Sequence, residues 1–557
     1  MSKAISSIGF LCLGIGLCAI ALAIYSQSSA FQVQDDAYMY SRYAQSLLRG
    51  DGMAWNPGGE PTYGATSLFY VPWVAAVSAC LPGDPGRAIV MASVFGMLLA
   101  LGLIATLVLR GLPRNGAQRM LAVCLVVAVL ARAHRNLAAH ATNGMDTGLT
   151  MSVVALLVLA WWRHTRATQS RPDDATPRNW ASSLLVVLAS GLALAQRPDL
   201  GLYVLGIPLV LTVVSTGPVR LEYTKLACAL LLVLAIWVAW CWAYFGSPLP
   251  LSFHIKGMAT ELGEPFVARH SGEASAHFGR FLISFAPLWM FATLDLVSRW
   301  RGRRDPENAL WLAVFAATVL HWLYYRFGVL QLVGFYQRFY YPTLPALVFL
   351  GITSLSRHFE RLGGRRLDSR LWRWASAAAV IACLAVGARA LVSSKGMLVS
   401  ETQNRRQGRF DLKERYDIPR TRSNWYCLDG FSALGDDLVL ATTEVGLLSA
   451  LNPRKRVIDM VGLNESGFAW NGFDARRLCA ELRPDVLYMP HPDYTTMIRE
   501  IESESSFQSG YLHYPAQDLD AFMGLALRRD SPYFQTMQEL VAARREQNRI
   551  RVPKESK

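Results

Sequence analysis

Apolar runs long enough to cross a bilayer recur through most of this sequence, and arginine collects in alternate segments between them. No other feature constrains the fold as tightly. A hydrocarbon core about 30 Å thick demands roughly 20 apolar residues per helix and leaves no backbone polar group unpaired. Spans are expected near 88–109, 118–133, 147–162, 180–196, 200–217, 226–245, 280–298, 309–327, 340–356 and 374–393. A further run from Ile8 to Ile24 follows a weakly basic start, Met1-Ser2-Lys3, and is taken as an uncleaved signal anchor; Ser28-Ser29-Ala30 only faintly resembles a peptidase site. The expectation is therefore eleven spans.

Charge orients them. One set of loops carries Arg110, Arg114 and Arg119; Arg163, Arg166, Arg171 and Arg178; Arg220 with Lys225; Arg299 to Arg304; and Arg357 to Arg373. The positive-inside rule makes that side cytoplasmic, in the inner membrane of a bacterium. It also accounts for the net charge of +14, whose residues sit in short inter-span clusters and not on a polar domain, so nucleic acid is not an expected partner. Residues 65–82 are apolar, yet counting them as a span would invert every later basic loop. They are expected to form a juxtamembrane helix at the outer leaflet.

After 393 the character changes. Residues 394–557 are charged and punctuated by Gly and Pro. Asp437–Ala441, Arg456–Met460 and Asp485–Met489 have the pattern of strands, and the tail after Gln538 that of a helix. The fold class expected is a polytopic α-helical membrane module, residues 1–393, with a first outer loop at about 27–87, followed by a small α/β domain, residues 394–557, on the periplasmic side. Of nine cysteines, only Cys427 and Cys479 lie in that domain, where an oxidising compartment permits a disulfide between them.

The unusual polar residues gather in the outer loops. Asp35 and Asp36 open a helical stretch that ends near Gly50, where the macrodipole favours the carboxylate form; such a group can accept a proton from an attacking hydroxyl, while capping is its ordinary structural use. His134, Arg135, His140, Asn143 and Asp146 crowd the next loop without metal-ligand spacing. Arg197-Pro198-Asp199 ends a span, where the two charges suit simple pairing. His254 and Lys256 follow a Pro-Leu-Pro turn and, if extended, project on one face towards a lipid phosphate. Arg338 is expected outside, where the positive-inside rule disfavours it, among Tyr336, Phe339, Tyr340 and Tyr341; it is the best single phosphate-ligand candidate, and the hydroxyl of Tyr340 or Tyr341 could add a donor. No Walker loop, dinucleotide fingerprint or HExxH is present.

Taken in order, DDAYMYSRYAQSLLRGDGMAWNPGGEPTYGATS, NGMDTGL, QRPDLG, YFGSPLPLSFHIKG and QRFYYPTLPAL resemble the GT-C class of polyprenyl-phosphate-sugar transferases. More narrowly they are similar to the mycobacterial terminal arabinofuranosyltransferase branch and the transferase that arabinosylates type IV pilins. EVGLLSALNPRKRVIDMVGLN is similar to the start of that branch's C-terminal domain. The resemblance implies a polyprenyl-monophosphate sugar donor, arabinofuranose as the sugar, and a cell-envelope glycan, lipid or protein as acceptor. It implies a catalytic acidic residue in the first outer loop, Asp35 ahead of Asp36. Arg197, His254, Lys256, Arg338 and Tyr340 then fall to the donor phosphate, and Tyr38, Arg42, Tyr63, Asp146 and Asp199 to the sugar and acceptor cavity. No cofactor is required by the sequence, and a divalent metal is left open. The loop departs from its relatives in having YGATS where they have GYTS. A lipid-linked-glycan polymerase is the nearest rival. A transporter or flippase is the rival of another class, disfavoured because its ionisable groups belong near the midplane.

Overall fold

A computed structural model of the chain describes residues 33–81, 83–112, 116–169, 180–257, 264–328, 335–363, 426–519 and 521–551. The N-terminal anchor, the 374–393 span and the domain boundary near 393 lie outside them.

Helices form where the apolar runs predict them. Among the described residues, Pro85–Gly111, Gly217–Phe245 and Pro306–Gly328 are each long and apolar enough to cross a membrane, the first of them about 40 Å long at 1.5 Å per residue. Two further pairs reach that length only together. Ala122–Arg132 and His134–Thr142 meet at 59°, and Gly272–Ser284 and Ala286–Arg301 at 80°. Pro287 opens the last of these, and without an amide hydrogen it cannot continue the preceding helix. Along Gly217–Phe245, Leu231, Leu232, Ile236 and Trp242 face outwards, an apolar surface that only lipid or protein can cover. At the centre, Thr147–Gln169 is buried on nearly every side. It packs on Pro85–Gly111 at backbone distance: a Cβ at Gly96 would stand 2.8 Å from the Leu149 nitrogen, and one at Gly148 2.6 Å from that of Met97. The 65–82 run becomes Tyr70–Cys80, 11 residues and about 16 Å, too short to span alone.

The C-terminal part is a five-stranded sheet of order β2-β1-β3-β5-β4, with β1 (Leu440–Thr442), β2 (Val457–Asp459), β3 (Val486–Tyr488), β4 (Tyr511–Tyr514) and β5 (Leu525–Arg528). β2, β1 and β3 are parallel; β5 and β4 extend the sheet antiparallel. The first three are the strands expected. β4 and β5 are additional, and the Leu-Ala-Leu-Arg of β5 carries no β-branched residue to announce it.

Alternation divides the strands between two cores. Leu440, Val457, Val486, Tyr488, Leu525 and Leu527 share one hydrophobic cluster with Ala37, Tyr43, Trp55 and Tyr70 of the first outer loop. Ala441, Ile458, Leu487 and Ala526 pack on the other face with Phe468, Leu478, Ile501 and Phe507. The helical module and the α/β domain are thus joined through apolar core. The same division corrects the disulfide. Cys427 belongs to the first cluster and donates its thiol to the Leu540 carbonyl at 3.5 Å; Cys479 is buried in the second; both are free. With the sheet between them the sulfurs cannot meet, and burial pushes each thiol up to about 12.

Candidate functional site at the domain junction

Two connected chambers open here, the inner one within the helical module and the outer one between that module and the α/β domain. The inner one, about 280 Å³, is lined by Asp146, Arg197, Asp199, Tyr324, Tyr325, Arg338 and Phe339. The outer one, about 340 Å³, is lined by Asp35, Asp36, Glu444, His491, Asp493 and Tyr494. Tyr40, Thr66, Met145, Ser252 and Arg338 border both.

In the inner chamber the span-end motif folds onto itself. Arg197 donates through Nε to Asp199 at 2.9 Å, through Nη2 to the Tyr325 hydroxyl at 2.6 Å, and pairs with Asp146 at 3.5 Å. Asp146 also accepts from Ser67 at 2.5 Å and Thr150 at 3.0 Å. Buried charges survive only when paired this way. Arg338 lies across Phe339, its guanidinium carbon 4.9 Å from the ring centre, and meets Asp36 at 3.5 Å. It follows two consecutive residues in the left-handed region, Tyr336 (φ 51°) and Gln337 (φ 58°). Such backbone costs of order 1–3 kcal/mol per residue unless held. The His134–Thr142 helix holds it: His140 Nε2 lies 2.9 Å from the Tyr336 carbonyl, and Asn136 donates to Gln337 at 2.7 Å.

In the outer chamber the helix Asp35–Arg49 starts and stops as its sequence dictates, with both acids in its first turn and Gly50 left-handed at φ 88° as its cap. Both Asp35 oxygens are taken: Gly446 N donates at 2.8 Å and Leu447 N at 2.9 Å. A side chain at position 446 would overlap the Asp35 carbonyl, so only glycine admits this approach. Loss of hydration nevertheless pushes the Asp35 carboxyl up to about 6. Asp36, with 39% of its side chain exposed, faces the chamber. Burial, followed by repulsion from Asp35, Asp36, Asp459 and Asp493, pushes Glu444 up to about 8. Desolvation holds His491 below the usual imidazole range.

Several expected site residues lie elsewhere. Arg42 is buried and spends its guanidinium on the carbonyls of Trp55, Ser449, Asn452 and Lys455 and on Asn56, which makes it a staple between domains. Tyr38 is core, and Tyr63 stacks on Phe245 at 4.7 Å. Tyr340 is buried against Phe278 and Phe281, and Tyr40, Tyr324 and Tyr325 supply the inner chamber's phenols instead. His254 and Lys256 lie on a helix, Leu251–Gly257, where residues two apart do not share a face. His254 packs on Trp470 with ring centres 4.0 Å apart, outside both chambers, and the Lys256 side chain lies outside the described residues. Among the described residues no three His, Cys, Asp or Glu side chains are grouped to hold a metal ion.

Glu444, His491, Asp493 and Tyr494 were not expected, yet a signal for them exists. Thr443 to Val445, Val461 to Leu463 and His491 to Tyr494 follow the carboxyl ends of β1, β2 and β3, and ligands of parallel sheets bind outside those ends. The β1 and β3 loops are tied by His491 N, which donates to Thr443 Oγ1 at 3.0 Å.

No protein-family model and no curated protein matches the chain. Solved structures do. ArnT from Cupriavidus metallidurans in the apo state aligns with a TM-score of 0.56 at 15% identity, over 93% of this chain and 98% of that one. ArnT bound to undecaprenyl phosphate aligns at 0.54, 15% identity and the same coverage. The archaeal oligosaccharyltransferase AglB from Archaeoglobus fulgidus, in complex with an inhibitory peptide and a dolichol-phosphate, aligns at 0.54 and 11% identity, over 94% of this chain and 75% of that one. The chain therefore has the polytopic helical fold of the GT-C proteins, as the ordered outer loops implied. It shares that fold with a protein crystallised on a polyprenyl phosphate and with a glycan transferase.

Proposed function

We propose that this protein is a membrane glycosyltransferase that moves a sugar from a polyprenyl-monophosphate donor to a cell-envelope acceptor. The observation that supports it is the Asp36–Arg338 pair at 3.5 Å, a carboxylate and a guanidinium that line one cavity and suit a proton acceptor and a phosphate ligand. The polyprenyl phosphates bound by ArnT and AglB support the donor class. The sugar is inferred to be arabinofuranose from the resemblance of the outer loops to arabinosyltransferases. Sidedness follows the arginine loops, with both chambers and the α/β domain on the periplasmic face of the inner membrane.

Arg338 binds the donor phosphate and, in doing so, exchanges its carboxylate partner for the ligand. Asp36, so released, accepts the proton of the acceptor hydroxyl as its oxygen attacks the anomeric carbon. The bond from that carbon to the phosphate oxygen breaks, and polyprenyl phosphate leaves with its charge stabilised by Arg338. Asp35, with both oxygens committed to backbone amides, positions the helix that carries Asp36. The base is thus Asp36, the second of the two expected residues.

The test is purified protein in lipid nanodiscs with polyprenyl-phospho-arabinofuranose. Release of polyprenyl phosphate by the wild type and its loss in Asp36→Asn are expected. Undiminished release in Asp36→Asn would remove this mechanism.

A further inference from the structure

A third cavity, about 200 Å³, continues the outer chamber into the α/β domain and shares Ile255, Val461, Asp493 and Tyr494 with it. Resting on the transferase reading above, we propose that this groove seats the acceptor, and that the acceptor is an uncharged glycan chain. Three observations carry this. The groove is continuous with the chamber of Asp36, so a chain lying in it delivers its end to the base. Its wall combines the rings of Phe473 and Tyr494 with the hydroxyls of Thr495 and Thr496 and the carboxylates of Asp493 and Glu500. Ring faces pack against the C–H surface of a sugar, and hydroxyl and carboxylate oxygens take up its many O–H donors. Among the described residues lining the groove none is Lys, Arg or His, so an anionic lipid or acidic glycan meets carboxylates with no compensating cation.

A peptide is less well served. One recurring way to capture an extended peptide is to add it as a strand to a free sheet edge. The outer edge of β2, after which Met460 and Val461 line the groove, is already occupied: Trp55 Nε1 donates to the Val457 carbonyl at 2.9 Å, and Val457 N donates to Asn56 Oδ1 at 2.8 Å.

The experiment uses the full-length protein in nanodiscs with polyprenyl-phospho-arabinofuranose. Acceptors are neutral arabinan, galactan and glucan oligosaccharides, polygalacturonate fragments as the anionic counterpart, and a lysine-rich, serine-containing peptide. Binding is followed separately by tryptophan fluorescence, since Trp470 lies on the helix beside the groove. At least one neutral oligosaccharide should bind saturably and accept sugar. Glu500→Gln and Thr496→Val, both at exposed positions, and Phe473→Ala should raise its KM about 10-fold or more, while donor hydrolysis by water keeps its wild-type rate. Preference for polygalacturonate, for the peptide, or for no neutral member of the panel would overturn the proposal, as would transfer indifferent to all three variants. Failure of the transferase reading looks different: the wild type then releases no polyprenyl phosphate with any acceptor, while saccharide binding is still measurable.

Discussion

The inner and outer chambers meet at one arginine but handle charge in opposite ways. In the inner chamber every carboxylate has a donor: Arg197 serves Asp146 and Asp199 at once, with Ser67, Thr150 and Tyr325 completing the network. In the outer chamber Asp35, Asp36, Glu444 and Asp493 line one cavity, and Arg338 is the only Lys or Arg among the described residues lining it. Pairing with Arg197 offsets the charge of both carboxylates in the inner wall. Burial and neighbouring carboxylates raise the proton affinity of Asp35 and Glu444 in the outer cavity. On the proposed transferase reading the division of labour is electrostatic: a balanced chamber for the leaving phosphate and an overcharged one for the attacking hydroxyl.

The sharpest way to break this comparison is Asp36→Asn. It keeps the side chain's shape but removes the proton acceptor, so transfer should fall about 10²–10⁴-fold in single-turnover assays while the protein still inserts. Asp35→Asn should cost less turnover and instead loosen the α/β domain, seen as faster limited proteolysis near Gly446. Equal losses in both variants would mean that the two act as one unit. On the inner side, Arg197→Ala leaves Asp146 and Asp199 buried without their cation. A stability loss of order 3–5 kcal/mol is expected from thermal unfolding in detergent, and an unchanged melting temperature would show the network to be dispensable. Arg338→Ala should instead weaken donor binding with little change in stability, and Arg338→Lys should restore part of it.

A finer test is the pH profile of Glu444. Its carboxyl is raised from the ordinary 4.5 to about 8, so the fold favours the protonated form. The associated stability is complete below about 4.5 and is lost as pH rises through about 8. Transfer should decline over the same alkaline limb as a further negative charge joins Asp36, and Glu444→Gln should flatten both. A limb that persists in Glu444→Gln belongs to another group. The smallest effect is expected from Asn136→Ala, which removes one of the contacts holding the left-handed turn before Arg338 and should raise donor KM a few-fold.

How much was legible in the sequence differs along the same line. Arg338 stood out because an arginine on the side expected to be outer defies the positive-inside rule, and Asp35 and Asp36 because a paired acid opens a helix just outside an apolar run. Asp146 and Asp199, expected in a sugar and acceptor cavity, line the inner chamber as members of a salt-bridged wall with Arg197. Arg42 and Tyr63 share the composition of site residues, but each lies in the region where the α/β domain docks, and burial against Ser449, Asn452 and Phe245 made them structural. His254 and Lys256 were assigned on an extended backbone that proved helical.

The sequence by itself determined the membrane module, its expected orientation, the first three strands and the acidic loop, because hydrophobic period, arginine bias and helix punctuation are local properties written into consecutive residues. Only the tertiary structure decided which of the two aspartates is held by backbone amides and which faces the chamber. Gly446 and Leu447 lie more than four hundred residues from Asp35, and their amides reach it only because the parallel strands bring the loop after β1 against the first outer helix. The same packing brings Glu444 beside Asp36 and bars Cys427 from Cys479. Contacts between residues so distant depend on chain topology and desolvation, and neither is a property of any short stretch of sequence.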